Sequence, residues 1–162
     1  HLTHTYPKYA HGWEVTAYPD GSLIDKQGKE YYALYWEGKE TTPLTIPNGT
    51  VLKGNETIEF LEEELPKMGL NAREANEFII FWMPYLENNP YNLIHFASEA
   101  YTDMAALDIQ PKPETLIRVM MVFQPLEQAM DIEPQNLSAL YMERKGFTVV
   151  EWGGRKLSVE ML

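Results

Sequence analysis

The run "TLIRVMMVF", residues 115–123, limits the folds open to this chain more than any other stretch. It is the clearest strand in the sequence: β-branched and long apolar residues fill both faces, except at Arg118. Such residues suit a pleated, packed surface. Arg118 shares its face with Leu116, Met120 and Val122. A buried guanidinium needs a hydrogen-bonded counter-charge, and Glu151, Glu77 and Glu74 are the acids that can supply a bidentate carboxylate. The plain expectation is a structural ion pair; the functional one is an anchor for an anionic ligand.

The rest of the chain sorts around that strand. Residues 13–37 read as a β-meander: "WEVTAY" alternates, "YPDGS" turns, "SLID" continues, "KQGK" turns again, and "EYYALYWE" forms a third strand. Both faces of this third strand are bulky, which predicts a central position. Residues 39–54 read as an irregular connection. A helix is expected over 56–68, with Ile58, Leu61 and Leu65 on one stripe and Gly69 as its stop. Asn71 and Glu74 form a capping box for a second helix, expected to end near Phe78 because "FIIFWMPYL" is β-branched and aromatic and carries Pro84. A strand at 79–83, a turn at "ENNPYN" and a returning strand "LIHFA" follow. Residues 98–114 read as a loop, 125–143 as a connection with a possible helical turn, and "GFTVVEWGG" as a last strand.

Strands, then helices, then strands predict an α+β fold: a largely antiparallel β-sheet with two central helices packed against it. A length of 162 residues fits a single domain, 1–162, able to bury a real core. The net charge of −11, with only 13 Lys and Arg, argues against nucleic acid and against an anionic membrane surface. The absence of cysteine removes disulfides, thiolate metal sites and cysteine nucleophiles. No apolar run approaches the roughly 18 residues of a membrane-spanning helix. No phosphate loop, nucleophile elbow, HExxH or calcium-loop pattern occurs, and no cofactor is expected.

Two short phrases attract a catalytic reading, "YYALYWEG" at 31–38 and "VVEWGG" at 149–154. Each sets a tryptophan beside a glutamate. Glycosidases use two carboxylates, one as acid and one as base or nucleophile, with rings to hold the sugar. Glu37 and Glu151, beside Trp36 and Trp152, supply those ingredients. The simpler expectation is that both phrases are strand ends belonging to the core. Histidine offers little: a copper site built on His1 would need His95 as its second imidazole, and no metal is expected. His4 and His11 read as solvated. Ten tyrosines and four tryptophans are enough for an aromatic recognition surface, with Trp36, Trp152 and Arg118 as candidate ligand-binding residues.

The phrases "YPKYAHGWEVTAYPDGSLID", "YYALYWEG", "GLNAREANEFIIFWMPYLENNPYNLIHF" and "RKGFTVVEWGG" together resemble an uncharacterised bacterial envelope-protein family. Its members carry a "KPVIYLYP" segment upstream of the matching region. The resemblance covers nearly the whole chain and brings no catalytic residues. It implies an extracytoplasmic setting, secreted or lipoprotein-anchored, and an N-terminal segment with a further strand ahead of residue 1. The expected function is therefore a non-catalytic binding or structural module for a protein, peptide or glycan at the cell surface. The alternative is a carboxylate-dependent hydrolase using Glu37 and Glu151. A third reading is a scaffold with no ligand pocket.

Overall fold

A computed structural model describes residues 1–39 and 44–157. Packing divides the chain into two compact units, His1–Pro43 and Leu44–Leu162, a division that length and composition do not announce.

The N-terminal unit is built from short strands. β1 (Leu2–Tyr6) pairs antiparallel with β5 (Tyr35–Gly38). β2 (Val15–Ala17), β3 (Leu23–Asp25) and β4 (Glu30–Tyr31) form a separate antiparallel sheet. The meander is present, but its expected third strand is not one strand. It breaks after Tyr31, and Tyr32 is 67% exposed. The reason lies far away in sequence: residues 2–6, polar and unremarkable by pattern, capture Tyr35–Gly38 for their own ladder. Bulk on both faces marked a strand-forming segment but not a buried one.

The C-terminal unit carries the core. Its strands are β6 (Thr50–Lys53), β7 (Tyr91–Phe96), β8 (Thr115–Leu126) and β9 (Thr148–Lys156), in the order β6-β7-β8-β9. The first three run antiparallel and β9 lies parallel to β8, so the α+β fold has a mixed, mostly antiparallel sheet. Helices α1 (Thr57–Lys67) and α2 (Ala72–Leu86) pack on one face. Leu61, Leu65, Phe78 and Leu86 are fully buried there against Ile94, Phe96, Ile117 and Phe123. Gly69 ends α1 at φ +99°, a left-handed conformation that costs glycine little. The Asn71 side chain accepts from the Glu74 N–H at 2.9 Å while Glu74 accepts from the Asn71 N–H at 2.7 Å, so the capping box forms as its spacing predicts.

Three expectations are corrected. Residues 39–54 are not all irregular connection, because Thr50–Lys53 pairs with β7 as β6. Residues 79–83 are helix, not strand, because α2 continues to Leu86. Its buried residues Ala75, Phe78, Trp82 and Leu86 recur at helical spacing and face the sheet. Pro84 falls in the last turn, where its missing N–H leaves only the Ile80 carbonyl short of a bond, on the exposed side of the helix. Residues 98–114 are not all loop: Ser98–Met104 forms α3, held by Tyr101 and Met104 packed on the second face of the sheet beside Ala97, Met120 and Val122.

Candidate functional site

β8 and β9 pair in parallel with Arg118 opposite Glu151. Both side chains project to the α3 face. Arg118 Nε donates to Glu151 Oε2 at 2.6 Å, with the side chains only 5% and 14% exposed. The Tyr101 ring covers the guanidinium at 4.6 Å, and its hydroxyl lies 3.4 Å from Glu151 Oε1. Burial, and next the Glu151 charge, push the Tyr101 hydroxyl well above the usual phenol range. Of the three acids that could serve Arg118, the fold selects Glu151. Glu74 is instead gripped by Arg144 through both oxygens, at 2.8 and 3.1 Å, and Glu77 by Arg73 at 3.2 Å. A carboxylate whose oxygens are taken up by a buried guanidinium and a tyrosine hydroxyl fits a structural ion pair.

Trp152 alternates with Glu151 and so lies on the opposite face. Its ring meets Phe78 edge-on at 5.4 Å and Phe81 at 6.0 Å. Arg118 and Trp152, candidates for one ligand site, are thus on opposite faces of one sheet. The phrase that contains Trp152 and Glu151 is the middle of a strand, not its end. The second glycine after it has a packing reason: a Cβ on Gly154 would lie 2.6 Å from the Trp82 ring.

Glu37 and Trp36 belong to the N-terminal unit. Glu37 pairs across the ladder with His4, whose Nδ1 is 3.2 Å from Oε2. Tyr35, two residues back on the same face, hydrogen-bonds Glu37. Burial first, then that bond and the Glu37 charge, push its hydroxyl up to about 12. Tyr35 lies opposite Tyr6 in the ladder, with exposures of 47% and 57%. Tyr31 meets Tyr6 edge-on at 5.8 Å, and the Lys29 ammonium lies over both rings, at 5.7 Å from Tyr6 and 5.0 Å from Tyr31. Trp36 points the other way and is half-buried. The exposed rings of this ladder are therefore tyrosines. Alternation along 31–36 separates Tyr35 from Trp36, but nothing local reveals that Tyr6 joins it.

His95 is half-buried in β7. Burial lowers its pKa from the ordinary 6.5, opposed by a hydrogen bond to the Asn48 backbone. His1, His4 and His11 are exposed or rim the N-terminal ladder. No group of three His, Asp or Glu side chains suited to a metal ion occurs among the described residues. No helix of the described residues is long and apolar enough to cross a membrane.

No family model matches the chain, and no curated protein or solved structure matches it.

Proposed function

We propose that this chain is a non-catalytic binding module of an extracytoplasmic bacterial protein, with a protein, peptide or glycan as its partner. The observation that carries the reading is the tyrosine surface of the N-terminal unit. Tyr6 and Tyr35 are cross-strand neighbours with roughly half of each ring in solvent, extended by Tyr31 and rimmed by Glu37, His4 and Lys29. Rings held side by side with donors and acceptors at their margin suit a sugar face or a proline-containing peptide. The extracytoplasmic setting, secreted or envelope-anchored, rests on the resemblance of the quoted phrases to the envelope-protein family.

The hydrolase alternative assigns Glu37 and Glu151 as the reacting acids. Glu151 is committed to Arg118, and Glu37 is engaged by His4 and Tyr35, which weighs toward binding. Trp152 contributes packing on this reading, and Arg118 is treated below.

Titration of the purified chain against glycan and peptide arrays tests the proposal. Binding is expected, and a Tyr6→Ala/Tyr35→Ala variant should lose it while keeping its melting temperature, because both rings are exposed. Turnover of an array member that disappears in Glu37→Gln, or binding indifferent to the tyrosine changes, would overturn it.

A further inference from the structure

A second site, independent of the tyrosine surface, lies on the C-terminal unit. The β7–β8 ladder runs from Tyr91↔Leu126 to Phe96↔Met121. One more bond follows, the Ala97 N–H to the Met120 carbonyl at 2.8 Å, and the chain then turns into α3. β8, however, begins at Thr115. Its first residues have β9 on one side and, among the described residues, no strand on the other. The N–H and C=O of one strand residue point the same way, and successive residues alternate. Since the Met120 carbonyl points toward β7, the backbone groups of Leu116 and Arg118 point to that same open side. No partner for them occurs there among the described residues.

This free edge is the floor of an open groove of about 570 Å³, lined by residues Leu116 to Val119 of β8. Such a volume falls within the range of ligand-binding clefts. The two walls differ. On the Arg118 face stands α3, presenting Glu99, Thr102 and Asp103. On the Ile117 and Val119 face stand Met68, Leu140 and Met142, an adaptable apolar wall. Arg118 lends the first wall no net positive charge, because Glu151 already matches it. Glu99 and Asp103 leave that wall acidic, within a chain of net charge −11. An anion is therefore disfavoured, contrary to the anchor that Arg118 suggests in the sequence. Among the described residues the groove lining has no aromatic ring, which disfavours a sugar.

We propose that this groove takes an extended peptide by strand addition to the β8 edge, and that the peptide alternates basic and apolar residues. Four edge residues span roughly 13 Å, room for about four peptide residues. Main-chain bonds to Leu116 and Arg118 hold the peptide. Alternate side chains then fall on opposite walls, the cationic ones against Glu99 and Asp103, the apolar ones against Met68, Leu140 and Met142.

Fluorescence anisotropy on the full chain tests this with a labelled peptide alternating lysine and valine. The controls are the same peptide with glutamate for lysine, and two versions N-methylated at alternate residues in either frame. Binding of the lysine peptide is expected, with the glutamate peptide and one methylated frame weaker by about tenfold or more. A Glu99→Lys/Asp103→Lys variant, altered only on the surface of α3, should reverse the charge preference. Hydrogen exchange at the Leu116 and Arg118 amides should slow when the lysine peptide is bound. The Tyr6→Ala/Tyr35→Ala variant should bind it unchanged, so this site and the tyrosine surface stand or fall separately. No binding of the lysine peptide, equal binding of both methylated frames, or indifference to the charge reversal would overturn the proposal.

Discussion

Replacing Glu151 by glutamine separates a structural carboxylate from a reactive one. The change keeps the shape and one acceptor oxygen but removes the negative charge beside a guanidinium that is 5% exposed and covered by Tyr101. Arg118 would then stay charged in a site with no other counter-ion among the described residues. Removing one member of such a buried pair costs about 3–5 kcal/mol. The retained amide oxygen still accepts from Nε, so the low end, about 3 kcal/mol, is expected. That is a large share of the roughly 5–15 kcal/mol that holds a domain folded. Urea unfolding followed by tryptophan fluorescence reads it as a lower midpoint at unchanged slope. The double change Arg118→Met/Glu151→Met should recover most of the loss, because two well-packed apolar side chains leave no buried charge. If Glu151→Gln stays within about 0.5 kcal/mol of the parent, the usual range for inconsequential surface changes, the carboxylate is not architectural and the reasoning fails.

Two further outcomes follow from the core face and from β7. Gly154→Ala places a methyl group 2.6 Å from the Trp82 ring and 2.7 Å from the Met121 carbonyl oxygen; overpacking should lower stability by about 1–3 kcal/mol in thermal unfolding, and an unchanged melting temperature would contradict the β9–α2 packing. His95 has its pKa lowered from 6.5 by burial, so below that pH the unfolded chain takes up a proton that the native one resists. Its stabilising contribution is complete above pH 6.5 and fades as pH falls through the lower native value. NMR titration should place the His95 pKa below 6.5, and His95→Gln should flatten that part of the stability curve.

How much was legible depended on whether the deciding interactions were local. The α1 stripe, the Gly69 stop and the Asn71–Glu74 box are contacts within four residues, and each forms where its spacing predicts. β8 was legible for a similar reason: a run of that length, apolar on both faces except at Arg118, has few other uses. The second half of α2 was not. Trp82 and Leu86 keep the helical period, but Ile80, Phe81 and Tyr85 on the exposed face are also apolar, which hides the stripe among residues of strand-forming type. α3 has no side-chain cap and no buried residue, so only its footing on the second face of the sheet makes it a helix.

The sites divide in the same way. By itself the sequence determined that Arg118 would need a carboxylate, that Trp36 and Glu37 would face opposite ways, and that no thiol chemistry was open to the chain. Which acid Arg118 takes was decided by the parallel register of β8 and β9, set between residues more than thirty positions apart. The Tyr6–Tyr35 surface was likewise decided by a ladder joining residues 2–6 to 35–38. The open β8 edge exists because the ladder with β7 ends at Met121, whereas β8 itself, paired with β9, starts at Thr115. Such pairings come from closing long loops and burying both sheet faces together, and no window of neighbouring residues holds that information.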